Sequence, residues 1–276
     1  MNRAATVFNS ASLIVERFDH PEHQLHRDHD SEITQDIAVT FVERGRFAFQ
    51  ERRSRWDFER GDVLVSAPGV IRRYQHFQEC PDDVCLSISF APDTVEDALG
   101  KFRSPSPAPR VPRGPATEFA YLLIRSALAS QDRMWIEEAG FHSLLALTND
   151  SWTDRTRQPV SGAHAHRIRR AIELMSDRLT VRCSLSSISR ELGMSPFHFA
   201  RTFSGLVGLS PHQYLLQLRL RRSARLLREG ASVTTAAVRS GFDSLSHFSR
   251  SFRRRFGVSP SKYPAALPSA VPRMSD

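Results

Sequence analysis

The sequence predicts an α+β chain: an N-terminal β-barrel with two helices after it, then an all-α domain in which a long helix joins two helix-turn-helix units. Three observations predict it. Short runs of alternating apolar residues separated by Gly and Pro turns fill residues 33–90. A helix-like string at 198–214 returns at 247–263, a constant offset of 49. The positive charge is concentrated in the same C-terminal stretch.

From Ala165 to Pro264 there are 18 Lys+Arg against 5 Asp+Glu, a net of +13, while the rest of the chain carries −5. A basic block of this size is the expected footprint of phosphate-backbone binding, although a solvated Arg-rich helix surface would read the same way. Nearly all of it is Arg, whose planar fork suits phosphate and guanine. With 40% apolar and 25% charged residues the balance is that of a soluble globular protein. No apolar run approaches the roughly 18 residues of a membrane span, no export signal is read, and Cys80, Cys85 and Cys183 make no disulfide framework. The expected setting is a reducing cytoplasm with no membrane partner.

In chain order, Ile37 to Val42 alternates, Glu43-Arg44-Gly45 turns, and Phe47-Ala48-Phe49 answers as a hairpin. Gly61-Asp62 opens Val63-Leu64-Val65, Pro68-Gly69 turns into Val70 to Tyr74, and Val84 to Phe90 is a further strand. Many short strands with regular turns point to a sandwich or barrel. Lys101 to Pro115 holds five prolines and reads as a loop. Thr117 to Thr148 reads as two helices broken near Ser130-Gln131-Asp132; their apolar faces either pair two subunits or pack on the barrel. Asn149 to Ala165 is polar, contains Pro159 and Gly162, and reads as a linker. The resulting organisation is 1–110 sensor-like barrel, 111–150 helical segment, 151–165 linker, 166–264 helical domain and 265–276 tail.

In the repeat, His198, Phe199, Arg201, Phe203, Gly208, Ser210-Pro211 and Tyr214 match His247, Phe248, Arg250, Phe252, Gly257, Ser259-Pro260 and Tyr263. Each copy follows a short helix and a Gly-containing turn. Leu185 to Leu192 leads through Gly193-Met194 to Ser195 as N-cap and Pro196 at the first helical position. Val233 to Ser240 leads through Gly241-Phe242 to Asp243 or Ser244 as cap. Helix, tight turn, helix is the helix-turn-helix pattern. Phe199, Phe203 and Leu206, and then Phe248, Phe252 and Phe256, form the apolar stripes expected to face the core. Pro211 to Arg228 reads as one helix; 18 residues span about 27 Å, enough to hold two recognition helices about one DNA turn apart.

The stretch from about Ala165 to Pro264, and most of all GFDSLSHFSRSFRRRFGVSPSKY (241–263), resembles the DNA-binding domain of the AraC/XylS family. The resemblance implies recognition helices at Pro196–Leu206 and Ser244–Arg255, with base-reading positions at Phe197, Ala200 and Arg201 and at Leu245, Ser246, Ser249 and Arg250. Ser204 and Arg253 share those faces. An outward Phe197 would suit a thymine methyl or a sugar; packing on a neighbouring helix is the other reading. Ser189 stands where the family usually has Ala. The implied function is a transcription regulator that binds double-stranded DNA as a homodimer, with RNA polymerase as a further partner.

GDVLVSAPGVIRRY (61–74) resembles the cupin-like effector barrel of many such regulators. Metal-binding cupins carry a His where this chain has Arg72, so no metal, no cofactor and no catalytic residue is expected. His20, His23, His26 and His29 recur every three residues, as a metal cluster or as a polar arm; Cys80 and Cys85 are a redox pair or two small side chains. An organic effector is expected inside the barrel, among Phe41, Phe47, Phe49, Trp56 and Tyr74. Arg72 would anchor its carboxylate or phosphate, unless it pairs with a carboxylate such as Asp62 or points to solvent. The alternatives are a cupin-type enzyme with a DNA-targeting domain, an alkyl-DNA repair protein, which would need a reactive Cys in a zinc cluster, and an architectural DNA binder without a sensor.

Overall fold

The computed structural model describes residues 3–20, 31–33, 36–51, 54–76, 83–92, 94–95, 109–147, 162–180 and 183–263. Strands β1 (Arg3–Asn9), β2 (Leu13–His20), β3 (Ser31–Ile33), β4 (Ile37–Arg44), β5 (Arg46–Glu51), β6 (Ser54–Glu59), β7 (Val63–Ser66), β8 (Ile71–His76), β9 (Asp83–Phe90) and β10 (Arg110–Val111) form two antiparallel sheets. Their orders are β1-β2-β9-β4-β7-β10 and β3-β8-β5-β6. Gly45 at φ 77° makes the expected hairpin between β4 and β5, a turn that needs the left-handed region.

The six-stranded sheet is apolar on both faces, because both are covered. Val42, Leu64 and Cys85 meet Phe47, Phe49 and Phe58 of the other sheet. Ile37, Val39, Phe41, Val63, Val65, Leu86 and Ile88 meet the helices on the opposite side. Those helices are α1 (Pro115–Ser130) and α2 (Arg133–Leu147), broken as expected at Gln131, which adopts φ 60° and caps α1. Gly140 lets α2 lie flat on β2: a Cβ there would stand 2.5 Å from Leu13 Cδ2. Glu43 ties the sheet to α1, accepting from Tyr121 Oη at 2.8 Å and Arg125 at 2.9 Å.

The C-terminal helices are α3 (Gly162–Asp177), α4 (Leu185–Glu191), α5 (Pro196–Val207), α6 (Pro211–Arg228), α7 (Val233–Arg239) and α8 (Leu245–Phe256), followed by a 3₁₀ turn at Pro260–Lys262. Helix α3 begins inside the stretch read as a linker. The core of the N-terminal region does not stop at that stretch. It runs from Leu13 and Phe90 through Met134, Phe141 and Leu144 of α2 into Ile168, Leu185, Phe199, Phe203 and Leu215. The second half of the helical domain has a separate core around Leu220, Ala236, Phe242, Phe248 and Phe252. No helix among the described residues is long and apolar enough to cross a membrane.

Candidate nucleic-acid interface

Both helix-turn-helix units form, by the same local devices. Ser195 Oγ accepts from His198 N at 3.2 Å and Ser244 Oγ from His247 N at 3.3 Å, so each second helix is capped by its own Ser. Gly208 at φ 75° and Gly257 at φ 78° end them in the left-handed region. Inside each unit the repeated aromatics meet edge to face: Phe199–Phe203 at 5.7 Å and Phe248–Phe252 at 5.5 Å. The repeated tyrosines close the motif, Tyr214 on Phe203 at 5.5 Å and Tyr263 on Phe252 at 5.1 Å. Gly241 admits no side chain, since a Cβ would lie 1.9 Å from the Leu179 carbonyl oxygen. The connecting helix spans Pro211–Arg228, started by Ser210 and Gln213 as a reciprocal cap.

The outer faces differ. On α8, Leu245, Ser246, Arg250 and Arg253 are exposed and Ser249 is half-exposed. On α5 the face expected to be open is covered. Phe197 is 4% exposed and meets Phe141 of α2 edge-on at 6.2 Å. That corrects the expectation of an outward Phe197: the apolar ring has an apolar partner in the chain itself. Ala200 and Ser204 line the same crevice with Glu138, Phe141, His142 and Leu145; they and Arg201 are half-exposed, as Ser249 is on α8, so the covering is centred on Phe197. Leu206, placed in the core stripe by its spacing, is 39% exposed.

Helix α2 is anchored to the helical domain by three buried acids. Glu137 accepts from the Leu185 amide at 2.6 Å, from Ser186 Oγ and from Ser12 Oγ at 3.0 Å. Glu138 accepts from the His212 amide at 2.7 Å, and Asp132 from Arg219 Nη1 at 2.8 Å. Two of these acceptors sit at the N-termini of α4 and α6, where unpaired amides and the helix dipole favour a carboxylate. Burial nonetheless raises Glu138 from 4.5 to about 7, against the His212 amide and Ser210. Trp135 lies between two imidazoles, 5.2 Å from His212 and 5.9 Å from His247. Burial lowers His212 to about 4, so that ring is neutral near pH 7. The sequence carried one unread sign of this interface: Glu137 and Glu138 stand in the middle of an apolar helix.

Of the residues expected to line an effector site, Phe49, Trp56 and Tyr74 do face the space between the sheets, with Phe47. There the rings pack on one another: Phe47–Phe58 stack at 5.1 Å, Phe49–Phe58 at 5.3 Å, and Tyr74 lies 5.8 Å from Phe49. Phe41 does not join them. It points to the helices, 5.7 Å from Tyr121, and lines an open cleft of about 360 Å³ with Glu43, Arg60, Arg113 and Leu122. Parity explains it, since Phe41 and Val42 leave opposite faces of β4. Arg72 pairs with Glu32 through the backbone of β8, but its side chain lies outside the described residues. Asp62, one candidate partner for it, is buried and takes Arg110 at 2.8 Å and the Arg113 amide at 3.1 Å. Cys85 is buried and its thiol is pushed up by burial. Cys80, His23, His26 and His29, the His20 side chain and the 265–276 tail lie outside the described residues.

A family model described as a helix-turn-helix domain matches residues 188–266. VirF of Yersinia enterocolitica, a virulence regulon transcriptional activator, is 38% identical over 79 residues, 28% of this chain and 29% of VirF. The transcriptional activator RhaS of Escherichia coli is 34% identical over 97 residues, 35% of each chain. A crystal structure of an AraC-type transcriptional regulator from Chromobacterium violaceum is 28% identical, covering 37% of this chain and 93% of that one, with a TM-score of 0.35. Fold and site together define a protein with a double helix-turn-helix domain. That domain is of the AraC type. The chain spans about three tenths of the length of the first relatives it matches.

Proposed function

We propose that the protein is a sequence-specific transcription regulator that binds double-stranded DNA through its helix-turn-helix domain under the control of a small-molecule effector. The observation that carries this reading is the exposed face of α8, with Arg250 and Arg253 among small polar residues on a capped, rigid helix. Arg pairs with guanine edges and phosphates, and Ser with either. The second unit reads bases through Leu245, Ser246, Ser249, Arg250 and Arg253; in the first, Ala200, Arg201 and Ser204 are the candidates, since Phe197 is buried against Phe141. Selection of bound duplexes from a random pool tests it: one enriched sequence is expected, with affinity falling steeply as salt rises. Absence of any enriched sequence, or salt-independent binding, would refute it.

The N-terminal region is the sensor in this reading, and no catalytic step is assigned to it. The support is the aromatic lining between its two sheets and its continuity with the helical domain. An anionic effector held by Arg72 is the specific form, with Phe41 no longer among the barrel-lining residues. Arg72→Ala is expected to abolish the effector response and to keep DNA binding. Exposed Phe119 and Leu122, three apart on α1, support a homodimer through that helix. RNA polymerase remains the expected further partner on DNA.

A further inference from the structure

We infer that α2 is a built-in mask: it occupies the face of the first recognition helix that would enter the major groove, so the two units cannot both engage DNA until α2 leaves. The inference rests on the DNA-binding reading above.

The repeat supplies the comparison. Phe197, Ala200, Arg201 and Ser204 of α5 occupy the places of Ser246, Ser249, Arg250 and Arg253 of α8. One set is polar and turned outward. Of the other, Phe197 is buried against Phe141, and Phe197, Ala200 and Ser204 line a crevice with His142 and Leu145 of α2. The crevice that Phe197, Ala200 and Ser204 share with α2 holds about 20 Å³, room for about one water. A recognition helix must enter a groove about 12 Å wide with this side bare. Occupancy by α2 and by DNA therefore exclude each other.

The mask is held, not merely near. Glu137, Glu138 and Asp132 bind the start of α4, the start of α6 and Arg219, so α2 is fixed to the two helices that precede and follow α5. The same helix touches the second unit through Trp135 and His247, but His247 is buried on the inner side of α8, and the reading face there stays open. The open unit is thus the first to find DNA. Release of α2, by whatever the N-terminal region binds, adds the second contact.

Two measurements on the full chain test this. In a Cys80→Ser background, Ala200→Cys and Ser249→Cys place a thiol at equivalent points of the two faces. The first should react with maleimide at least tenfold more slowly than the second without DNA; equal rates would overturn the mask. Footprinting on the selected duplex forms the other arm. Wild type should protect about one helical turn, and Phe141→Ala about two, with at least tenfold tighter binding. If wild type already protects two turns and Phe141→Ala changes neither extent nor affinity, the mask is wrong while the DNA-binding reading stands. If neither protein protects any duplex, both are wrong. Should Phe141→Ala fail to fold, the thiol rates decide.

Discussion

The two helix-turn-helix units are alike inside and unlike outside. Each has a Ser cap, a Gly end and a ladder of two Phe and one Tyr. Yet the first shares a continuous core with the six-stranded sheet through α2, whereas the second has a core of its own. The outer face of α5 is apolar where it meets α2; that of α8 is polar where it meets solvent. Repetition conserves what a unit must do to fold. What its surface becomes depends on what that surface touches.

Substitutions of the inner rings should separate the units most strongly. Phe199→Ala and Phe248→Ala each remove a fully buried ring and should cost about 3–5 kcal/mol. Their reach should differ. Hydrogen exchange is expected to show Phe199→Ala loosening amides of α2 and the large sheet as well as the first unit, and Phe248→Ala loosening the second unit alone. Identical patterns would break the comparison of one shared and one private core.

The next effect is pH-dependent and belongs to the junction of α2 with α6. Glu138 stands at about 7 in the folded chain against an ordinary 4.5. Between those values the folded chain holds a proton the unfolded chain has lost, so stability falls as pH rises through that window. Glu138→Gln should remove a fall of up to about 3 kcal/mol between pH 4.5 and 7. Melting curves across that range would check it, and parallel curves for both proteins would contradict it.

On DNA, Arg250→Ala should weaken operator binding by about 1–3 kcal/mol with the fold intact. Arg201→Ala should reach that size only when α2 is released, for example in combination with Phe141→Ala. Equal losses for both single variants would mean that both faces are open. The smallest effect is expected at Leu206, exposed in the first unit where the repeat places Arg255 in the second. Leu206→Arg should change stability by less than about 0.5 kcal/mol, measured by denaturant titration.

Local chemistry made the helical domain legible. The bounds of α6 and the starts of α5 and α8 follow from Ser, Pro and Gly at the ends, signals that act within a few residues. The β4–β5 hairpin and β7 were legible from alternation and glycine turns. Strands β1 and β2 are not legible in the sequence, although Leu13 and Val15 alternate, because the run leads straight into a His-rich stretch that resembles an arm. Strand β6 was hidden for a similar reason: Trp56 and Phe58 are its only large apolar residues among four polar ones. The burial of Phe197 depends on Phe141, 56 positions away, and periodicity carries no information about such partners. It does say that α5 has aromatic residues on two sides, which a one-sided solvent helix does not need.

Trp135 gives the junction an optical property. Its indole is half-buried between the imidazoles of His212 and His247, on the one helix that belongs to both halves of the molecule. The other two tryptophans, Trp56 and Trp152, can be replaced by Phe, leaving a single emitter. Separation of α2 from α6 and α8 would hydrate that ring and move its emission to longer wavelength. The protein therefore carries an intrinsic fluorophore at the junction of its two halves, and any separation of α2 from α6 and α8 would be visible in real time without a label.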